Sequence, residues 1–165
     1  MNLFSDIRSL VISSLEKLQS DGALPKGLNF ENVTVEPPRD TSHGDMSTNA
    51  AMVLSKPSGM NPRDIAEALT VLLASDERVI SADVAGPGFL NLRLKQDYWT
   101  SIIPFVIKAG VNFGRTTMGN GIKVNVEYVS ANPTGPLHVG HTRGAVFGDA
   151  LASLLDFAGY DVTRE

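Results

Sequence analysis

The 165-residue sequence has no cysteine, which excludes disulfide staples and any thiolate-ligated zinc site and fits a reducing compartment. No apolar run approaches the roughly 18 residues of a membrane-spanning helix. The N-terminal stretch MNLFSDIRSLVISSLEKL carries Asp6 and Glu16 on an amphipathic pattern, not the charged head and apolar plug of a signal peptide. A soluble, cytoplasmic protein with no membrane partner is therefore expected. Positive charge is in short supply: 14 Lys and Arg stand against 18 Asp and Glu, a net charge of −4. That argues against a protein whose whole surface grips nucleic acid, since phosphate contacts come from Lys and Arg. The shortage is uneven. Residues 86–124 hold Arg93, Lys95, Lys108, Arg115 and Lys123 against Asp97 alone, so any polyanion contact belongs there first.

What is present suits a buried core, with 42% hydrophobic residues. Leu3, Phe4, Ile7, Leu10, Val11, Leu15 and Leu18 recur at helical spacing until SDGALPKG stops them. NVTVEPP alternates and ends at two prolines, a short strand at an edge. Asn61 and Pro62 are an N-cap and first helical residue for NPRDIAEALTVLLAS. VISADVAGPGFLNLRL reads as two strands about a Gly-Pro-Gly turn, and DYWTSIIPFVIKAG as a helix kinked at Pro104. VNFGRTTMGNG has the look of a linker. The first unit is thus α+β.

Beyond it the period changes. IKVNVEYVS is rich in β-branched residues, ANPTGPL turns, HVGHTRGAVFGDALASLLDFAG is a long helix capped by Gly159, and YDVTRE opens another strand. This is a β-turn-α-β unit, the opening of a parallel sheet. Two strands and one helix cannot cover both faces of a sheet, so the unit reads as the first fragment of a larger doubly wound domain.

His138 and His141 stand at i and i+3 where a strand hands over to a helix. The free N–H groups of a helix start favour negative charge, and imidazole N–H groups beside them suit a polyphosphate. Two other readings remain open at this point: a zinc site, for which His43 is the sole further histidine, and two histidines that merely cap the helix. Gly140, Gly144 and Gly148 repeat every fourth residue, each costing about 1 kcal/mol relative to alanine. Close ligand approach explains Gly140 best, and helix-on-strand packing Gly144 and Gly148. Asn132 lies at the carboxyl end of a strand, where open α/β sheets bind ligands. Glu127, between Val126 and Tyr128, occupies an apolar strand, an expensive place for an unpaired charge. Asp45 in HGDMSTN reads as a helix N-cap.

PTGPLHVGH at a strand-to-helix junction resembles the HIGH signature of class I aminoacyl-tRNA synthetases, with Val139 in place of isoleucine. The longer stretch from Val126 to Glu165 resembles the arginyl-tRNA synthetase version. HGDMSTNAAMVLSK, NPRDIAEAL and VAGPGFLNLRL resemble the additional N-terminal domain of that family, so the likeness spans most of the chain. It implies an N-terminal additional tRNA-recognition domain with linker over 1–114, then the truncated start of a Rossmann-like catalytic domain over 115–165.

The resemblance further implies roles. His138 and His141 would be catalytic and contact the ATP phosphates, and Gly140 would let the adenosine lie against the helix start. Ser130 and Asn132 would hold the amino acid, and Glu127 would face the arginine side chain, whose permanently charged guanidinium calls for a carboxylate. Phe89 would stack on a tRNA base and Asn91 bond its edge, both being suited to an unstacked loop nucleotide. Implied substrates and partners are ATP with Mg2+, L-arginine and tRNA(Arg), with no protein metal site. The family pattern departs in one respect: no lysine precedes the HIGH-like motif, so a KMSK loop is expected further along. The 165 residues alone are expected to be inactive. Alternatives are a nucleotidyltransferase sharing the two-histidine site, which should lack the added domain, and a free-standing tRNA-binding module. The helix face of Val146, Leu151, Leu154 and Leu155 should be exposed, refolded on the first domain or self-associated.

Overall fold

The computed structural model describes residues 2–38 and 40–165. It divides into two compact units, residues 1–108 and 109–165.

In the first unit, helix α1 (Leu3–Ser20) starts where the Asn2 side chain accepts from the backbone N–H groups of Phe4 and Ser5. It buries Leu3, Ile7, Val11, Leu15 and Leu18 along one stripe. Strand β1 (Val35–Glu36) is cut short by Pro37 and Pro38, which fits its place at a sheet edge. Strand β2 (Met46–Thr48), helix α2 (Ala50–Ser58) and helix α3 (Pro62–Ala74) follow. The cap of α3 is the predicted one, with Asn61 accepting from the N–H of Arg63 and Pro62 opening the helix. Strands β3 (Val79–Ala85) and β4 (Phe89–Leu94) form the expected hairpin. The antiparallel sheet runs β1-β2-β4-β3.

Central β4 sends Leu90, Leu92 and Leu94 into the core with α1, α2 and α3, where Ile7, Met46, Leu54, Ile65, Leu69 and Leu73 are sealed from solvent. Each such aliphatic side chain contributes about 1.5–3 kcal/mol by leaving water. The loop before β1 is held by Arg8, whose guanidinium donates to the carbonyls of Phe30, Glu31 and Val33.

Two readings from sequence need correction. Pro104 does not kink one helix: α4 (Gln96–Thr100) and α5 (Ile103–Ala109) are separate, with Pro104 in the first turn of α5, where its missing N–H costs no helical bond. Asp45 caps no helix. Its Oδ2 accepts from the N–H of Leu94 at 2.7 Å and its own N–H donates to the carbonyl of Leu92 at 2.8 Å, so it extends the β2–β4 pairing with a side chain. In the same motif, Thr48 donates to the carbonyl of Thr34, while Asn49 accepts from the N–H of Thr34 and donates to the carbonyl of Asn32.

The second unit is the expected β-α-β start. Strand β5 (Lys123–Val126) and strand β6 (Asp161–Arg164) pair in parallel, joined by helix α6 (Val139–Phe157). Residues 115–121, which the sequence marks only as a linker, satisfy the far end of α6: the N–H groups of Thr116, Gly119 and Gly121 donate to the carbonyls of Phe157, Ala158 and Gly159. Arg115 pairs with Asp156 at 3.1 Å and lies over the Phe157 ring. Gly159, at φ +90°, takes the left-handed turn that ends the helix, and a Cβ there would strike the Thr116 carbonyl oxygen at 2.8 Å. Val146, Leu151 and Leu154 are exposed, and Leu155 is half-buried.

Candidate functional site

The helix start of α6 is built by its two histidines. His138 is the N-cap, with an extended backbone, and its Nδ1 accepts from the N–H of Gly140 at 3.1 Å. His141 reaches back, its Nδ1 accepting from the N–H of His138 at 3.2 Å. This is the reciprocal pattern of a capping box, made with imidazoles instead of a hydroxyl and a carboxylate. The rings stack with centroids 3.8 Å apart and planes 27° apart. With both Nδ1 atoms acting as acceptors, each neutral ring carries its proton on Nε2. The pair therefore offers two Nε2–H donors at the positive end of the helix dipole, an arrangement suited to phosphate oxygens. Capping and anion binding, two competing readings from sequence, are compatible here because they use different nitrogens.

Gly140 is fitted to this cap: a Cβ would lie 3.0 Å from Cε1 and 3.1 Å from Nδ1 of His138. The other two glycines separate. Gly148 is buried, and a Cβ there would overlap the Tyr128 side chain, so the helix sits on the residue just past β5. At Gly144 a Cβ would meet nothing within 4 Å, which corrects the packing reading for that position. Gly144 lines an open groove of about 870 Å³ along α6, with Val139, Gly140, Arg143, Val146 and Phe147.

Glu127 stands one residue beyond the end of β5 and is exposed, not buried in an apolar strand as its neighbours suggested. Among the described residues the β5–β6 sheet has two strands, and Glu127 lies just past its last paired residue, Val126. Ser130 and Asn132 lie in the exposed turn between β5 and α6, after Val129, which is held at φ +61°. A β-branched residue in that region is strained. Neither side chain, nor that of Glu127, is hydrogen-bonded to the histidine pair.

The first unit carries a different surface. Directly opposed residues of an antiparallel sheet share a face, so the register gives one row of Glu36, Ser47, Asn91 and Asp83 on the side away from the core. Phe89, opposite Ala85, and Arg93, opposite Ser81, flank that row. Phe89 is 43% exposed, too much for a core aromatic. Asn91 is only 8% exposed, yet its amide finds no hydrogen-bond partner among the described residues and keeps a path to solvent. Arg93 donates to the Ser42 carbonyl at 2.6 Å. Composition could not have shown Ser47, Asp83 and Arg93 beside Asn91; strand register does.

A parallel strand, a turn at its carboxyl end and a helix that returns the chain to a second parallel strand define the opening of an α/β domain of the doubly wound kind. The model of the arginyl-tRNA synthetase N-terminal domain matches residues 5–94, and that of the class I (R) tRNA synthetase catalytic domain matches residues 103–165. The chain belongs to the arginyl-tRNA synthetase family. Over all 165 residues it is 70% identical to the arginine–tRNA ligase of Ruegeria sp. (strain TM1040), and 66% identical to that of Roseobacter denitrificans (strain ATCC 33942 / OCh 114). It spans 28% of the length of each. Among solved structures, Thermus thermophilus arginyl-tRNA synthetase matches 99% of the chain, over 25% of its own, at TM-score 0.65 and 26% identity. The Plasmodium falciparum arginyl-tRNA synthetase, 19% identical, shares the fold at TM-score 0.69 over 98% of this chain and 29% of its own. The added domain that a two-histidine nucleotidyltransferase would lack is present. No helix among the described residues is long and apolar enough to cross a membrane.

Proposed function

We propose that this chain is the N-terminal portion of an arginine–tRNA ligase that activates L-arginine with ATP and transfers it to tRNA(Arg). The observation that carries this reading is the stacked, reciprocally capped His138–His141 pair at the carboxyl end of a parallel strand. The Nε2–H groups of both rings face the ATP phosphates and stabilise the charge that grows on the α-phosphate as the arginine carboxylate attacks. Donors fixed before the reaction do so without reorganising. Gly140 keeps the helix start clear for the nucleoside. Glu127 meets the guanidinium of arginine, and Ser130 and Asn132 hold its amino acid end. Magnesium enters with ATP as part of the substrate.

On the first unit, Phe89 stacks on an unpaired tRNA base and Asn91 bonds its edge; an amide without a hydrogen-bond partner among the described residues supports this role. In this reading tRNA recognition occupies 1–114 and the start of catalysis 115–165, and the enzyme works in the cytoplasm. The 165 residues alone do not aminoacylate. Arginine-dependent ATP–pyrophosphate exchange by the full-length protein, with tRNA present, tests the assignment; its absence in a folded preparation sinks it.

A further inference from the structure

The geometry points to Val129 as a positioning residue of the arginine site: its left-handed backbone resets the alternation of β5, so that Ser130 comes to the side of the strand that carries Glu127 and one substrate can meet both. The inference rests on the reading of Glu127 and Ser130 as arginine-binding residues.

Side chains alternate along a strand, so residues three apart face opposite ways. Val126 is buried and the Tyr128 side chain lies against Gly148, which puts both on the side covered by α6. Glu127 therefore faces away from that helix. Were the chain to continue as an extended strand, Ser130 would join Tyr128 on the helix side, out of reach of a substrate held by Glu127. It does not continue so, because Val129 stands at φ +61°. One left-handed residue shifts the alternation by a single position, as in a bulge, and bulges next to active sites re-aim side chains in this way. Ser130 then falls on the Glu127 side.

The turn is built to keep this conformation. Val129 is exposed, so no burial offsets its strain, and the neighbouring chain must hold it. Tyr128 is fixed twice, by its N–H to the Glu165 carbonyl at 2.9 Å and by its packing against Gly148. At the far end, the N–H of His138 donates to Nδ1 of His141. Between these ends, among the described residues, one backbone hydrogen bond forms, from the Thr134 N–H to the Asn132 carbonyl at 2.8 Å. With so little bonding, the path of residues 129–137 rests on restricted dihedrals. Pro133 and Pro136 each fix a φ, and Val129 sets the direction in which the segment leaves the strand.

The test follows arginine-dependent ATP–pyrophosphate exchange by the full-length protein with tRNA(Arg) present, and determines KM separately for arginine and for ATP. Proline cannot adopt a positive φ, whereas asparagine takes the left-handed region more readily than valine. Val129→Pro should lower kcat/KM for arginine about 100-fold, with KM for ATP changed by less than about threefold. Val129→Asn should keep kcat/KM for arginine at or above the wild-type value. Ser130→Ala should cost the wild type about tenfold, yet less than about twofold when added to Val129→Pro, because the hydroxyl is already displaced there. Additive losses in that double variant overturn the inference, as does a Val129→Pro enzyme with kcat/KM for arginine within about threefold of wild type. Where Val129→Pro melts below the assay temperature, Val129→Asn decides: a fall of about fivefold or more shows that the turn works in another conformation and overturns the inference. Absence of exchange in the folded wild type defeats instead the ligase reading on which it rests.

Discussion

Gly144 and Gly148 lie one turn apart on α6, and alanine at the two positions should act with opposite sign. Each glycine costs the helix about 1 kcal/mol relative to alanine. At Gly144 the new methyl meets nothing within 4 Å, so that cost is recovered in full. At Gly148 the methyl overlaps the Cβ and Cγ of Tyr128. The first atoms of that side chain cannot swing aside, since the backbone N–H of Tyr128 is held by the Glu165 carbonyl at 2.9 Å. Forcing the methyl in costs about 1–3 kcal/mol beyond the propensity gain. Amide hydrogen exchange of Leu151 to Leu155 reads the local stability of α6. Protection should rise about fivefold in Gly144→Ala and fall by a similar factor or more in Gly148→Ala, taking 1.4 kcal/mol as tenfold. Protection shifted in the same direction by both alanines would refute the assignment of one glycine to packing and the other to open space.

His138→Ala removes the acceptor for the Gly140 N–H and should fray the first turn of α6 by about 1 kcal/mol. In the full-length protein it should lower arginine-dependent pyrophosphate exchange about 100- to 1,000-fold while tRNA affinity stays the same. Arg8→Met strips the donor from three loop carbonyls and should destabilise the first unit by about 2 kcal/mol in urea unfolding, although no carboxylate is lost. The side-chain hydrogen bond from Arg78, assisted by its backbone N–H, holds the Asp76 carboxyl below its ordinary 3.8. Its contribution is therefore complete above that value and lost as pH falls through the lowered one. Thermal unfolding followed from pH 5 to pH 2 should fall less steeply in Asp76→Asn than in the wild type.

Local signals in the sequence carried most of the fold. Asn61-Pro62 started a helix where such a pair should, the Gly-Pro-Gly turn joined two strands, and the change from strand to helix period after Lys123 marked the parallel unit. What escaped depended on partners distant along the chain. Asp45 looked like a cap because the N–H it accepts belongs to Leu94, 49 residues away. The role of 115–121 as the end-piece of α6 depends on carbonyls some forty residues further on. The paired histidines were legible as a motif, but the division of labour between their nitrogens was not: it follows from ring orientation. Glu127 misled for a different reason, since an apolar neighbourhood in sequence buries a side chain only when another strand lies over it.

The way His138 and His141 hold each other has a chemical consequence for metal ions. A transition metal takes an imidazole through an unprotonated nitrogen. In each ring that nitrogen is committed to a backbone N–H, and the outward one bears hydrogen. Nickel or zinc bound through both outward nitrogens would move each proton inward and release the N–H groups of His138 and Gly140 from their caps. A motif that resembles half a metal site is in this way guarded against becoming one.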